Sequence, residues 1–162
     1  MTAQLSDILH YQGNAHSMCN EPLSKYLNDR PIKFVMLSTA LNRGYRAGWL
    51  LSENKLYLID LKAHLDHDNY VGLDYLFPQQ EKVFADWYSG TIKINQGDLI
   101  KYVHSGYGSV YQRSVYLVIE KGRLINEYVK NNNSLISKAR RILEKLTTRK
   151  YVNDYMFIDK RE

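Results

Sequence analysis

Two strand-turn-strand patterns constrain the fold of this chain more than any other feature of its sequence. Each joins two apolar runs through a tight turn, and the paired runs are 45–51 with 56–61 and 114–120 with 123–129. In the first turn Asn54 tolerates a positive φ, and the second pattern turns at Lys121-Gly122. Hairpins pair their strands antiparallel, so we expect a mostly antiparallel β-sheet that is curved or barrel-like.

Two helices are expected beside this sheet, which makes the fold class α+β. A short N-terminal helix is predicted over 20–28, where Asn20 can cap the first turn and Pro22 needs no N–H. The chain is then expected to comprise a β-rich domain over 1–130 and a basic amphipathic helix and tail over 131–162, docked on that domain. The apolar stripe of the C-terminal helix, at helical spacing, is Leu135, Ile136, Ala139, Ile142, Leu143 and Leu146.

The bulk composition predicts one domain, which we expect in the cytoplasm, with export by a route that needs no cleavable signal as the alternative. The chain has 162 residues, of which 44% are hydrophobic and 24% charged, as is ordinary for a globular protein with one core. Cys19 is the single cysteine and cannot form an internal disulfide. Neither a signal peptide nor a run of about 18 apolar residues is found, so no transmembrane segment is expected.

The segment 83–94 is predicted to form one long strand. Alternation along it places Asp86 on the same face as Phe84, with apolar neighbours on both sides. A buried carboxylate is costly unless it is paired or hydrogen-bonded. We therefore expect Asp86 to be buried and to pair with Arg43, Arg46 or backbone amides of the glycine-rich loops.

Aromatic residues around this strand and around the glycine-rich loop 105–109 predict a ligand or partner pocket. The sequence contains 14 tyrosines, and tyrosine is common at interfaces because its ring is apolar and its tip polar. The opposing interpretation is that these rings simply fill the core of a β-protein. The predicted pocket residues are Arg43, Arg46, Trp49, Asp86, Trp87, Tyr88, His104, Tyr107 and Tyr111.

Two other patterns resemble catalytic or metal sites but are incomplete. Two histidines and two aspartates lie within 64–68, yet their spacing matches no established metal site, and a solvated loop is expected. His104, Ser105 and Asp86 could supply a nucleophile and a base, but no nucleophile-elbow pattern accompanies them. No catalytic residue, metal or cofactor is therefore predicted.

Three longer patterns within 1–125 resemble a family of uncharacterised bacterial proteins. They are Arg43-Gly-Tyr-x-x-x-Trp49, Phe84-Ala-Asp-Trp-Tyr-Ser-Gly-Thr-Ile92 and Tyr102-Val-His-x-Gly-Tyr-Gly-Ser-Val-Tyr111. The first of them precedes a Lys-Leu-Tyr-Leu-Ile-Asp strand. The resemblance implies a bacterial origin and no particular activity, and it does not extend to the tail after Asn131.

The sequence favours a non-enzymatic binding module that recognises a protein partner through a tyrosine-rich surface. The first alternative is an enzyme or small-ligand binder with an aromatic pocket around Asp86 and His104. The second is nucleic-acid binding by the C-terminal helix, because eight Lys or Arg and four Asp or Glu lie in 131–162, which holds four of the five net positive charges. The basic face of that helix is Lys138, Arg141, Lys145 and Arg149.

Overall fold

A computed structural model describes residues 2–133 together with residues 138, 142, 143, 145 and 146. The strands are β1 (Asp7–Tyr11), β2 (Asn14–Met18), β3 (Tyr45–Ser52), β4 (Lys55–His64), β5 (Tyr70–Val71), β6 (Val83–Phe84), β7 (Gly90–Lys101), β8 (Val110–Glu120) and β9 (Arg123–Asn131). The helices are α1 (Pro22–Leu27) and α2 (Leu73–Leu76), and a 3₁₀ turn spans Thr39–Leu41. The described part of the chain is therefore rich in strands and poor in helices.

The strands form one mixed sheet whose pairings return to their starting point. The order is β3-β1-β2-β7-β8-β9-β4, β4 pairs again with β3, and β5 and β6 pair with β4. The β1–β3 pair is parallel and the other named pairs are antiparallel, which confirms a mostly antiparallel sheet. The β2–β7 pairing and the β4–β9 pairing each consist of one residue pair, Met18 with Ile94 and Lys55 with Arg123 respectively. The sheet is therefore ring-like, and the expectation of a barrel-like form is corrected.

Both predicted hairpins are present. β3 and β4 meet where Ser52 pairs with Lys55, and the two turn residues Glu53 and Asn54 have φ values of 52° and 57°. β8 and β9 meet at Lys121-Gly122 in the same way. Positive φ at both central positions gives the turn a twist that matches paired strands, which is why these short sequences specify hairpins.

The core lies inside the ring. Its fully buried side chains include Leu9, Met18, Trp49, Leu58, Leu61, Ile92, Ile94 and Leu117. In β4, Ile59 has no partner in β3 and forms a bulge, which reverses the alternation of side chains beyond it. Leu58 and Leu61 therefore both face the core, although a regular strand would point them to opposite faces.

The single long strand predicted over 83–94 is wrong. β6 ends at Phe84, the backbone N–H of Tyr88 donates to the carbonyl of Ala85 at 3.0 Å to form a turn, and β7 begins only at Gly90. Asp86 lies in this turn and is exposed, whereas Tyr88 is buried. The break places the carboxylate in water and so avoids the cost of burying it.

The N-terminal helix is confirmed, but its predicted cap is not. Glu21 occupies the N-cap position of α1, and the side chain of Asn20 instead accepts a hydrogen bond from the backbone N–H of Lys93 at 2.7 Å. Asn20 therefore ties the start of α1 to β7. No helix within the described residues is both long and apolar enough to cross a membrane.

The predicted C-terminal helix and its docking lie almost entirely outside the described residues. Of its apolar stripe, the structure describes Ile142, Leu143 and Leu146, and all three are exposed. The structure does not support the helix as an element of the fold. Docking of the segment 131–162 stays a prediction.

Candidate functional site

Asp7 and Arg43 form the polar centre of the structure. Asp7 is fully buried, because it shares the inward face of β1 with Leu9 and Tyr11. Arg43 approaches from the loop before β3, and its Nη2 donates to Oδ1 of Asp7 at 2.7 Å. The Arg43 side chain is only 6% exposed, so both charges are withdrawn from water.

Two N–H groups of β3 also hold the Asp7 carboxylate. The backbone N–H of Ala47 donates to Oδ1 at 3.0 Å, and the indole Nε1–H of Trp49 donates to Oδ2 at 3.1 Å. Burial raises the pKa of Asp7, while the charge of Arg43 and these donors act in the opposite direction. The carboxylate thereby joins β1 to β3 and orients Arg43.

Tyr107 and Glu21 extend the network on the other side of the guanidinium. Nη1 of Arg43 donates to the Tyr107 hydroxyl at 3.0 Å, and that hydroxyl donates to Oε1 of Glu21 at 2.8 Å. Burial, reinforced by the bond to Glu21, raises the pKa of the Tyr107 phenol. Arg43 therefore connects β1, the start of α1 and the loop between β7 and β8. We call Asp7, Glu21, Arg43 and Tyr107, with Tyr45, the Arg43 network.

Tyr45 borders this network on the side of an open hollow. Its ring centroid lies 5.1 Å from Cζ of Arg43, and its hydroxyl lies 2.7 Å from Oγ of Ser24. A Cβ at Gly44, whose φ is 76°, would lie 2.7 Å from the backbone of Phe34, so glycine is needed for this wall to pack. The hollow has a volume of about 280 Å³ and is lined by Ser24, Leu27, Asn28, Ile32, Lys33, Phe34, Arg43 and Tyr45.

The arrangement makes the Arg43 network a structural brace. Nη1 and Nη2 of Arg43 are bonded within the protein, and Nε is buried without a hydrogen-bond partner in the described structure. The two acceptors, the Tyr107 hydroxyl and the Asp7 carboxylate, belong to different parts of the chain. The charge of Arg43 holds three separate parts of the chain together.

The structure brings some of the predicted pocket residues together and separates others. Arg43, Trp49 and Tyr107 meet at the network. Trp87 and Tyr88 lie against α1 instead, where the indole N–H of Trp87 donates to the first carbonyl of the helix at 3.3 Å and the ring of Tyr88 lies 5.0 Å from a lysine ammonium. The predicted aromatic residues thus belong to at least two clusters.

Arg46 and Tyr111 lie apart from both clusters. Nε of Arg46 donates to the backbone carbonyl of Ser6 at 2.9 Å, on the outward face of β3. The carbonyl of Tyr111 accepts from the side-chain amide of Asn132 at 2.9 Å, where β8 meets the end of β9. Neither residue reaches the hollow beside Tyr45.

Asp86 and His104 lie beyond opposite ends of β7. That strand has 12 residues, and a strand rises about 3.3 Å per residue, so the two side chains do not share a pocket. Asp86 forms no ion pair with the described residues, so its predicted pairing with Arg43 or Arg46 is wrong. His104 lies in an exposed loop, with Nδ1 2.9 Å from the Tyr102 hydroxyl.

Sequence reasoning missed the two carboxylates of the network. For Asp7 a signal exists, because period-two alternation in a strand puts Asp7 on the same face as Leu9 and Tyr11. A buried carboxylate paired with an arginine is therefore present, but on β1 rather than in the segment of Asp86. Glu21 gives no comparable signal, since its partners come from distant loops.

A second candidate surface lies on β9. Ile125, Tyr128 and Val129 are 59%, 50% and 56% exposed. The ring of Tyr128 stacks on that of Tyr116 in β8, with centroids 4.9 Å apart and planes 8° apart. We call these four side chains the β9 surface, in which Tyr116 and Tyr128 lie on one face of the hairpin and Val129, the partner of buried Val115, on the other. It carries exposed apolar area on an ordered strand.

The outer edge of β9 is open over most of its length. β4 pairs with β9 only through Lys55 and Arg123, and no described strand pairs with that edge over 125–131. On the inner side, the Tyr11 hydroxyl donates to Oε2 of Glu127 at 2.5 Å. Burial, together with Glu127, raises the pKa of Tyr11 to about 12. The hairpin is anchored to β1, and its outer edge over 125–131 is unpaired among the described strands.

The segment 64–68, in which two histidines and two aspartates lie close together in sequence, contains a hydrogen-bonded turn. Within the described residues, no three His, Cys, Asp or Glu side chains are placed to hold a metal ion. In the segment 64–68, Asp66 accepts hydrogen bonds from the backbone N–H groups of Asp68 and Asn69, both at 2.9 Å, and so stabilises a turn.

No family model, no curated protein and no solved structure matches this chain.

Proposed function

We propose that this protein is a non-enzymatic binding module that recognises a protein partner through the β9 surface. The observation that carries the proposal is the exposure of three large apolar side chains, Ile125, Tyr128 and Val129, along one strand. Tyr116 and Tyr128 lie on one face of the β8–β9 hairpin and Val129 on the other, so exposed apolar side chains border the open edge on both faces. Tyrosine adds a large ring with a polar tip, which suits a surface that is wet until it binds.

The open edge favours a partner that contributes an extended segment. A strand added to such an edge gains main-chain hydrogen bonds, and its alternate side chains contact the two faces of the sheet. Tyr128 and Val129 are consecutive and point to opposite faces of β9, so an added strand would meet apolar groups on both. Arg123 and Lys130 flank this stretch and favour acidic residues in the partner.

The two alternatives have weaker support. An enzyme built on Asp86 and His104 would need both side chains in one cleft, and β7 separates them. Nucleic-acid binding through Lys138, Arg141, Lys145 and Arg149 depends on a segment that lies mostly outside the described residues. It stays a prediction, and no described contact favours it.

Site-specific photo-crosslinking in the native cell tests the proposal. A photoreactive amino acid at position 128 is expected to give a discrete protein adduct. The same group at Tyr75, which is 45% exposed on α2, serves as the matched control and is expected to give none. The adduct should disappear when Ile125→Lys and Val129→Lys are introduced, since two charges on this surface oppose apolar contact.

Each alternative outcome has a clear meaning. Equal labelling from positions 75 and 128, or no adduct from either, would contradict a binding role for the β9 surface. An adduct with the mass of two chains would identify the partner as a second copy. Survival of the adduct in the double lysine variant would place the contact elsewhere.

A further inference from the structure

A separate hollow lies on the outward face of β1, β3 and β4, away from the Arg43 network and the β9 surface. Its volume is about 170 Å³. The residues that matter for its chemistry are His10, Arg46, Gly48, Asp60 and Lys62. These side chains stand on paired strands, so the positions of their backbones are fixed by the sheet.

Two cations lie side by side in the lining of this hollow. Arg46 is the direct cross-strand partner of Lys62 in the β3–β4 ladder, and like charges in that arrangement destabilise a sheet. Arg46 is held by the hydrogen bond from its Nε to the Ser6 carbonyl, which leaves both Nη groups for other acceptors. Asp60 lines the same hollow, yet within the described residues neither cation forms an ion pair with a carboxylate.

Gly48 keeps the floor of the hollow open. It pairs with Asp60, and a Cβ at position 48 would lie 2.9 Å from the Cβ of Asp60. Any larger residue at position 48 would therefore have to displace Asp60 and its strand. The concave shape thus depends on Gly48, and the positive charge on Arg46, two residues earlier in β3.

We propose that this hollow binds the phosphate group of a small molecule between Arg46 and Lys62. Pockets for drug-sized ligands have volumes of roughly 300 Å³ or more, so a hollow of about 170 Å³ holds a single anionic group. The guanidinium offers a planar pair of donors and the ammonium a compact charge, which is the combination that proteins use for phosphate. Asp60 weakens this attraction without cancelling it, because two cations oppose one carboxylate.

Titration of the full chain with inorganic phosphate, at constant ionic strength maintained with sodium chloride, tests the proposal. Backbone amide shifts of His10, Arg46 and Lys62 are expected to move and to saturate. Lys62→Gln should weaken the affinity about threefold, and Asp60→Asn should strengthen it by a similar factor, as expected for one unit charge at a few ångströms in water. The opposite signs exclude a general effect of altered stability.

Lys101→Gln is the matched control, because Lys101 is also an exposed lysine at a strand position. It should leave the phosphate affinity unchanged. Shifts that rise without saturation, or an equal effect of Lys62→Gln and Lys101→Gln, would overturn the proposal. A response to a DNA oligonucleotide but not to inorganic phosphate would also overturn it, since the site is then too weak for an isolated phosphate group.

Discussion

The Arg43 network and the β9 surface place polar and apolar groups in opposite environments. In the network, a carboxylate and a guanidinium are buried, and the Tyr107 hydroxyl is bonded on both sides. On the β9 surface, two tyrosine rings stack on each other, and Ile125 and Val129 of the same strand are exposed. Both regions break the usual division between core and surface, but in opposite directions.

The difference separates stability from recognition. A buried ion pair costs desolvation on both sides and depends on each partner remaining in place, so its loss is felt throughout the fold. Exposed apolar groups gain almost nothing in the free protein and become favourable only when something covers them. Substitutions should therefore unfold the protein in the first region and leave it folded in the second.

Asp7→Ala is the substitution for which we expect the largest loss of stability. It leaves Arg43 charged and buried without its main partner, so we expect a loss of about 3–5 kcal/mol in the free energy of unfolding. Chemical denaturation monitored by tryptophan fluorescence measures it directly, because Trp49 contacts Asp7.

Asp86→Ala is the control for Asp7→Ala. Asp86 is exposed, and surface substitutions usually change stability by less than about 0.5 kcal/mol. Equal losses in the two variants would contradict the assignment of the buried carboxylate to β1. Such a result would restore the sequence-based hypothesis for Asp86.

Tyr107→Phe is a smaller perturbation of the same network. It removes the hydroxyl that links Arg43 to Glu21, and hydrogen bonds to charged groups contribute about 1.5–3 kcal/mol each when buried. Because Tyr107 is only partly buried, we expect a loss of about 1.5 kcal/mol at pH 7 in the free energy of unfolding.

The pH dependence of this loss gives a second check. The Tyr107 pKa is raised in the folded state, so its protonated phenol stabilises the fold fully below the unfolded pKa, which is about 10. That contribution is lost as the pH rises from there through the folded pKa. The stability difference between wild type and Tyr107→Phe should therefore narrow above pH 10. A constant difference between pH 8 and pH 11 would show that the phenol proton is not involved.

The sheet could be predicted from local patterns because hairpins are local. Asn54 and Gly122 lie in short turns whose backbone conformation sets the register of both flanking strands. The break at Asp86 could not be foreseen from alternation alone, since apolar residues on both faces also fit a turn packed between a sheet and a helix. The bulge at Ile59 could not be foreseen from alternation either, because apolar residues lie on both faces of the strand over 56–61.

The site was predictable only in part because its members are distant in sequence. Arg43, Trp49 and Tyr107 were predicted to share a pocket, and they do meet, but in the buried Arg43 network. Asp7 was missed although its strand pattern shows it facing inward, because a carboxylate there is informative only once its partner is known. Which exposed residues form a surface depends on pairing between strands, and β9 has an open edge only because the ring closes at one residue pair.

The smallest expected effect is on the β9 surface. Ile125→Lys with Val129→Lys should change the free energy of unfolding by less than about 0.5 kcal/mol per site, because both side chains are more than half exposed and little apolar area is lost. Leu117→Ala, on the buried face of neighbouring β8, should instead cost about 2–5 kcal/mol. Both variants are compared with wild type by denaturant titration. If the lysine pair destabilises the fold as much as Leu117→Ala does, the β9 surface is packed in the free protein, and its apolar side chains serve the chain itself rather than a partner.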